Sequence, residues 1–191
     1  ILNILDLVSL VNLVLANNYE VTADINGDGI LNILDIVSLV NMILGGRTIH
    51  TDEDIGTKAQ IYQDDTSVSI SSNGKIGGVQ MKLQHYGDFT IDLTDKAMVA
   101  EYRTVGNETI LVIVEPESDK LFSYTGDYKI TSVIAANILS EAMEIELTDR
   151  ILPDVFELSQ NFPNPFNPIT QIQFILGKAE LVSLNIFDIQ G

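Results

Sequence analysis

The stretch that decides the fold of the first part of the chain is Asp24-Ile25-Asn26-Gly27-Asp28-Gly29-Ile30-Leu31-Asn32-Ile33-Leu34-Asp35. Oxygen-bearing side chains stand at positions 1, 3, 5, 9 and 12 of this stretch, and a glycine stands at position 6. This is the spacing of a twelve-residue calcium loop, whose tight curl brings oxygens from alternate residues around one ion. The predicted Ca²⁺ ligands are Asp24, Asn26, Asp28, the backbone carbonyl of Ile30, Asn32 directly or through a water, and Asp35.

The last loop position departs from the general pattern, which ends in Glu where this chain has Asp35. An Asx-rich turn before a helix is the alternative interpretation, because Asp-Gly and Asn-Gly are turn-forming pairs in any case. Five oxygen side chains in register with Gly29 favour the calcium loop.

The chain repeats itself near its N-terminal end. Residues 1–15 read ILNILDLVSLVNLVL and residues 30–44 read ILNILDIVSLVNMIL. Asn3 and Asp6 therefore correspond to the last two side-chain ligands of the loop and are predicted to belong to a first calcium loop. Because the opening half of that loop is missing, we expect residue 1 to be a truncation point.

Two tandem loops of the form D-x-N-x-D-G-x-x-N-x-x-D, each followed by one helix, resemble a type I dockerin over about residues 1–46. The resemblance implies calcium-dependent binding to a cohesin domain, best known in polysaccharide-degrading assemblies. In that family, loop positions 10 and 11 and the following helix face the cohesin. The partner-binding residues that this implies are Ile4, Leu5, Ile33 and Leu34.

The segment after the second loop is apolar nearly all round. Between Asp35 and Gly45 only Ser38 and Asn41 are polar, and at helical spacing they form one narrow stripe. A module of about forty residues cannot cover such a helix by itself. Two interpretations stay open: an external partner covers the exposed apolar face, or the neighbouring domain of this chain does. The recurring polar residues argue against a membrane span.

Composition narrows the class of protein. The 191 residues carry a formal net charge of -17, with 10 Lys and Arg against 27 Asp and Glu. This excess of carboxylates argues against nucleic acid or an anionic membrane as a partner. The absence of cysteine excludes disulfides, thiolate nucleophiles and cysteine metal sites. The absence of cysteine remains compatible with secretion, because bound calcium can stabilise a small domain as a disulfide would.

From Ala59 onward, the spacing of the apolar residues changes from a helical repeat to a repeat of two residues. Val79, Met81 and Leu83 alternate with polar residues, and residues 110–114 form a continuous apolar run suited to a central strand. The turn signals between such runs are Ser72-Asn73-Gly74, Tyr86-Gly87-Asp88, Gly106-Asn107 and Thr125-Gly126-Asp127. The pattern predicts an antiparallel β-sandwich over residues 59–150, between linkers at 47–58 and 151–157. Residues 132–139 fit either a short helix or a strand.

The strand rhythm of this segment also resembles a cohesin-type or carbohydrate-binding jelly-roll domain. The similarity lies in residues 78–83, 89–93 and 121–126. A cohesin-like sandwich implies that the dockerin-like module could dock on it, within one chain or between copies. A generic sandwich spacer is the alternative.

The last segment contains L-S-Q-N-F-P-N-P-F-N-P-I-T at residues 158–170, and I-F-D-I-Q-G at residues 186–191. Proline cannot donate to a β-ladder, so the first of these predicts an extended or turn-rich lead-in to a sheet. Together the two motifs resemble the C-terminal sorting domain of type IX secretion cargo. This implies the start of an immunoglobulin-like sandwich, a partner in the type IX machinery, and some forty further residues beyond residue 191.

No catalytic constellation stands out in the sequence. It contains no G-x-S-x-G nucleophile elbow, no H-E-x-x-H motif and no phosphate-binding loop. Asp64, Glu101 and Glu115 could supply a carboxylate pair for glycoside hydrolysis, but acidic residues are too frequent here for such a pairing to be informative.

These observations predict a multidomain chain that is part α and part all-β. Its parts are an EF-hand-like calcium-loop helix pair (1–46), the β-sandwich, and a truncated sorting domain (158–191). The predicted function is non-catalytic, calcium-dependent protein–protein interaction in a secreted or surface protein of a Gram-negative bacterium. The alternative is an accessory tail of a secreted polysaccharide-degrading hydrolase or protease, with the sandwich binding glycan.

Overall fold

The computed structural model describes residues 2–45 and 54–149, together with residues 157–158, 160–161, 164–165, 167–172, 174–175 and 183. The chain divides into two compact units, residues 1–149 and 150–191. The described part is mostly β-sheet with two helices. The second sorting motif, at residues 186–191, lies outside the described residues.

The two repeats form the two helices, α1 (Ile4–Leu15) and α2 (Ile33–Ile43). Each begins after an asparagine N-cap with extended backbone, Asn3 or Asn32, whose side chain accepts an amide hydrogen bond from the first turn. The residue three positions later is an aspartate that accepts from the N-cap amide, so each start is a reciprocal capping box. At the other end of α2, Gly45 has a φ of 76°, the left-handed conformation in which helices commonly stop.

Seven strands follow in the first unit. They are β1 (Lys58–Gln63), β2 (Ser67–Ser72), β3 (Ile76–Leu93), β4 (Ala97–Val105), β5 (Glu108–Pro116), β6 (Lys120–Asn137) and β7 (Glu144–Asp149). Their order in the sheet is β4-β5-β3-β6-β2-β1-β7. Side chains from β1, β2, β3, β5 and β6 share one buried core, so the hydrogen-bonded sheet folds over on itself as a β-sandwich.

Two predicted turns are instead bulges within long strands. Residues 86–88 lie inside β3 and residues 125–127 lie inside β6, and the two strands pair with each other on both sides of them. The register shifts between Tyr86 and Thr90, where Gly87 has a φ of 69°. Opposite, Gly126 has a φ of 88°, and a Cβ there would collide with the carbonyl oxygen of Asp88. The glycines therefore bend a continuous strand pair, where a sequence pattern alone indicates a reversal.

The predicted all-antiparallel pairing also needs a correction. β1 and β7 pair in parallel, with Lys58 opposite Glu144 and Gln63 opposite Asp149. A parallel pair needs a long connection, and here the strands between β1 and β7 in the chain supply it. The segment at 132–139, left open between helix and strand, is strand up to Asn137.

β5 is buried on both of its faces. Leu111 and Ile113 enter the core of the sandwich. Ile110, Val112 and Val114 belong to a second core, which they share with the apolar sides of α1 and α2. The helix pair therefore packs on the outer face of the sheet, and this explains why residues 110–114 are continuously apolar.

In the second unit, β8 (Glu157–Leu158) pairs antiparallel with β9 (Phe174–Ile175). Between them, the side-chain amide of Asn161 donates to the hydroxyl of Thr170, at 3.0 Å. This bond joins two ends of the proline-rich segment.

Candidate functional site: an oxygen-rich loop and a helix seated on the sheet

The loop of residues 24–35 is held together by hydrogen bonds from its own amides to its acidic and amide side chains. The amides of Gly27 and Gly29 donate to the two oxygens of Asp24, at 2.8 and 2.9 Å. Asn26 Oδ1 accepts from the amide of Asp28, at 3.0 Å, and Asp28 Oδ1 accepts from the amide of Ile30, at 2.8 Å. Loop positions 1, 3 and 5 are thus drawn into one tight curl, as a calcium loop requires.

Asp35 closes this loop from the buried side, with none of its surface exposed. Its Oδ1 accepts from the amides of Ile25 and Asn26, at 2.8 and 3.3 Å, and its Oδ2 accepts from the amide of Asn32, at 3.0 Å. Two carboxylate oxygens offer about four lone pairs, so these three bonds leave one for a cation. Asp35 therefore fits a one-oxygen ligand better than the two-oxygen ligand usual at this position.

The donor set as a whole has the chemistry of a calcium site. It consists of hard oxygens from carboxylate, amide and carbonyl groups, which suit Ca²⁺. Among the residues that the structure describes, no three His, Cys, Asp or Glu side chains are gathered closely enough to hold a metal by themselves. Calcium binding here would therefore depend on Asn26, Asn32 and the carbonyl of Ile30 as well as on the carboxylates.

The electrostatics of the loop centre on Asp24. Desolvation opposes ionisation of Asp24, but hydrogen bonds from Gly29, Tyr19 and Gly27 outweigh it and hold the pKa of Asp24 below its ordinary value. The Tyr19 hydroxyl donates to Asp24 Oδ2 at 3.1 Å, and this bond raises the pKa of Tyr19. The loop thus favours the anionic form of Asp24.

The predicted ligands in the first repeat occupy the same local geometry as their counterparts. Asn3 Oδ1 accepts from the amide of Leu5 at 2.8 Å, and Asn32 Oδ1 accepts from the amide of Leu34 at 2.7 Å. The amide of Asn3 donates to Asp6 Oδ2 at 2.8 Å, just as Asn32 does to its own aspartate. These residues therefore cap the helices as well as being predicted calcium ligands.

The two repeats differ sharply in what surrounds their predicted partner-binding residues. Ile33 is fully buried and Leu34 is half-buried, whereas Ile4 and Leu5 are 57% and 70% exposed. The same contrast holds one turn later, since Val37 is 3% exposed and its counterpart in α1 is 49% exposed. Only the second repeat presents this face to the sheet.

A pair of glycines in β3 forms the seat for α2. A Cβ added to Gly78 would lie 2.7 Å from Ile33 Cγ1 and Cδ1, and 3.1 Å from Val37 Cγ2. A Cβ on Gly77 would lie 2.8 Å from Val37 Cγ1 and 2.5 Å from the carbonyl oxygen of Asn137. The absence of side chains on β3 at these two positions is what allows α2 to approach the sheet so closely.

Polar contacts fix the helix pair at three points. Gln80 Oε1 accepts from the amide of Ile33 at 3.0 Å, one of the first-turn amides that has no partner within the helix. Near the other end of α2, Asn41 Nδ2 donates to the carbonyl of Ile138 at 2.9 Å. At the end of α1, Lys82 Nζ donates to Asn17 Oδ1 at 3.1 Å.

The sequence did not predict that Gln80, Gly77, Lys82 or Asn17 contact the helix pair or its seat. One signal was available, because two adjacent glycines in an alternating strand pattern often mark a close backbone approach. Asn41 was recognised as part of a polar stripe, but the sequence could not show that the stripe lies against the loop after β6. These contacts join residues far apart in the chain and carry no local pattern.

The fold and the site define the class of this chain: a β-sandwich whose outer sheet face carries a helix pair with an oxygen-rich loop. No family model matches the sequence, and no curated protein matches it. Similar solved structures include a non-cellulosomal cohesin from the hyperthermophilic archaeon Archaeoglobus fulgidus, with a TM-score of 0.38 and 13% identity over 48% of this chain and 86% of that one.

Two further similar structures are cohesins of Clostridium. One is in the type I cohesin–dockerin complex Coh-OlpC–Doc435 of Clostridium thermocellum, with a TM-score of 0.37 and 9% identity over 52% of this chain and 94% of that one. The other is the cohesin module of a family 33 glycoside hydrolase of Clostridium perfringens, with a TM-score of 0.32 and 10% identity over 51% and 99%. At these TM-scores the similarities assign the chain to no family.

In the part of the chain that the structure describes, neither α1 nor α2 is long and apolar enough to cross a bilayer.

Proposed function

We propose that this chain is a non-catalytic protein–protein interaction segment of dockerin–cohesin type, in which a calcium-loop helix pair docks on the face of a β-sandwich. The observation that carries the proposal is the seating of α2 on Gly77 and Gly78 of β3. Ile33 and Val37 are buried there, and Gln80 accepts the helix amide that an isolated helix would leave unpaired. The docking occurs within one chain, which is one of the two arrangements expected of a cohesin-like domain.

Calcium has a structural role in this proposal. A bound Ca²⁺ would neutralise part of the charge of Asp24, Asp28 and Asp35 and so stabilise the closed loop. Residues 32–33 at the end of the loop begin α2, and the amide of Ile33 is the one that Gln80 accepts. The loop therefore sets the position of the helix start that the sandwich recognises, and docking and calcium binding should strengthen each other.

Calorimetric titration of the full chain with calcium, followed in parallel by circular dichroism, tests this role. We expect one site for the complete loop, with a dissociation constant between about 10⁻⁷ and 10⁻³ M. Asp24→Ala or Asp28→Ala should abolish the heat of binding and reduce the helix signal. Asp65→Ala is the matched control, because that aspartate is exposed in the β1–β2 turn. Full helix signal and unchanged binding in the loop variants would count against the calcium site.

Amide hydrogen exchange with and without a chelator tests the docking. Removal of calcium should speed exchange in α2 and in residues 77–80 of β3 together, while exchange in β1 and β2 stays slow. Faster exchange in the loop alone would show that docking does not depend on calcium.

We further propose that residues 158–191 act as a sorting segment for type IX export, which would place the protein outside the cell or on its surface. The proline-rich motif supports this, and the Asn161–Thr170 bond ties its ends together. In a bacterium with type IX secretion, a reporter followed by the full chain should reach the medium or the cell surface. A matched fusion that ends at residue 157 should not, and equal export of the two would refute the proposal.

A further inference from the structure

β4 forms one edge of the seven-stranded sheet. Among the strands that the structure describes, β5 is its hydrogen-bonded neighbour, and no strand pairs with its other side. Residues 101–105 along this edge are all exposed, and Tyr102 and Val105 are 45% and 66% exposed. An open strand edge presents unpaired amides and carbonyls, which can pair with a strand of another chain.

The hairpin that joins β4 to β5 shows which backbone groups of β4 are free. Its two-residue turn is Gly106-Asn107, where the glycine has a φ of 63°, and Val105 lies opposite Glu108. The pair that flanks such a turn is hydrogen-bonded, and hydrogen-bonded pairs alternate along an antiparallel ladder. The odd-numbered residues of β4 therefore bond to β5. The amides and carbonyls of the even-numbered residues, Tyr102 among them, point away from it.

The sequence of this edge is complementary to itself. Residues 99–105 read Val-Ala-Glu-Tyr-Arg-Thr-Val. When two copies pair antiparallel about Tyr102, each Glu101 lies opposite Arg103 of the second copy, and the valines at the two ends also meet. Unlike charges, β-branched pairs and aromatic pairs directly across an antiparallel ladder each stabilise it.

Only this two-fold register brings the unlike charges of the edge together. Pairing about Glu101 or about Arg103 places like charges opposite each other. Pairing about Ala100 or about Thr104 leaves both charged residues opposite uncharged ones. In the described part of the structure, neither Glu101 nor Arg103 has an ion-pair partner in its own chain. Both charges are therefore available to a second molecule, and they favour a pairing centred on Tyr102.

The opposite edge of the sheet, β7, lacks this complementarity. Among the side chains that the structure describes on β7, Glu144 and Glu146 are the charged ones, and both are acidic. Pairing of β7 with itself therefore brings together no unlike charges, and charged side chains on an edge strand oppose its pairing with another chain. Association through β4 alone uses the same surface on both molecules, so it closes as a dimer and does not grow into a filament.

We infer that β4 is a docking surface for a second copy of this chain, which pairs with it antiparallel about Tyr102 and makes the two sheets continuous. The contact is a single strand pair, and the net charge of -17 on each molecule opposes association. The dimer is accordingly weak, with a dissociation constant of about 1–100 µM at physiological salt. It depends neither on the docked helix pair nor on calcium.

Sedimentation velocity of the full chain over about 1–500 µM tests the association. The average mass should rise from the 21.0 kDa of one chain towards twice that value. Glu101→Arg and Arg103→Glu should each weaken the dimer by about 5- to 30-fold, because two unlike pairs become like pairs. Asp65→Arg is the matched control for Glu101→Arg, since it makes the same change in net charge at an exposed position outside β4.

Combining the two changes tests the register. In one chain, Glu101→Arg together with Arg103→Glu restores both unlike pairs at unchanged net charge, so the dimer should regain wild-type strength. An equimolar mixture of the two single variants should also associate, because one chain then carries only cations at these positions and the other only carboxylates. Circular dichroism of each variant checks that the fold is retained.

Amide hydrogen exchange at low and high protein concentration provides a second measurement. At high concentration, exchange should slow several-fold at residues 100, 102 and 104, whose amides face the second copy, and change little at residues 101 and 103, which already bond to β5.

Three results would overturn the inference. The first is a monomer throughout the concentration range. The second is a dimer that neither single variant weakens, which would place the contact elsewhere on the molecule. The third is a failure of both the double variant and the mixture to restore association, which would exclude the pairing about Tyr102.

Discussion

Ile33→Ala should destabilise the docked helix pair by about 3–4 kcal/mol, whereas Ile4→Ala should cost no more than about 1 kcal/mol. The two isoleucines stand in the same local sequence, Asn-Ile-Leu-Asp, at the first position of their helices. Helix propensity and capping are therefore the same for both, and the comparison isolates the effect of the sheet.

The magnitude follows from burial. Truncation of isoleucine to alanine removes three carbon atoms, worth about 2.4 kcal/mol of transfer free energy when the side chain is fully buried. At Ile33, which is fully buried, the cavity left between the helix and Gly78 adds roughly a further 1 kcal/mol. At Ile4, 57% of the side chain is already exposed, and water fills the space that truncation opens.

Equilibrium unfolding of the full chain in urea, with calcium present and far-ultraviolet circular dichroism as the signal, measures both values. The midpoint should fall strongly for Ile33→Ala and little for Ile4→Ala, with similar slopes. Losses within about 0.5 kcal/mol of each other would refute the assignment of α2 as the seated helix.

Three further changes test other parts of the structure. Gly78→Ala should weaken docking by about 1–3 kcal/mol through overpacking, and by less when it is combined with Ile33→Val. Additive losses in a double-mutant cycle would contradict the close contact between Gly78 and Ile33. Asp64 accepts hydrogen bonds from Thr66 and Ser67, which outweigh its desolvation and lower its pKa. It should therefore stabilise the fold above about pH 4 and lose that effect as the pH falls through its folded pKa. In acid titrations the difference in free energy of unfolding between wild type and Asp64→Asn should shrink in that range, and a constant difference would contradict the assignment. Asn41→Ala should raise hydrogen exchange at the C-terminal end of α2 several-fold and leave that of α1 unchanged, because its bond to the carbonyl of Ile138 is lost.

Local sequence predicted local structure well where the chemistry is local. The repeated segments form the two helices, and the alternating apolar residues Val79, Met81 and Leu83 are buried along β3. The Asn-x-x-Asp pairs, predicted as calcium ligands, also cap both helix starts. Local sequence failed at Gly87 and Gly126, because a glycine with positive φ has the same sequence signature in a turn and in a bulge. Only the pairing of β3 with β6 on both sides of these glycines distinguishes the two cases.

The sequence by itself determined the oxygen-rich loop, the repeated helices and the apolar run at residues 110–114, because capping, turn chemistry and periodicity act over a few residues. Only the tertiary structure decided that β5 is covered by helices on one face, and that Ile33 is buried while Ile4 is exposed. Identical local sequences have identical local preferences. Their different burial arises from contacts with β3, such as the hydrogen bond between Ile33 and Gln80, two residues more than forty positions apart in the chain. Those contacts exist only once the sheet has formed.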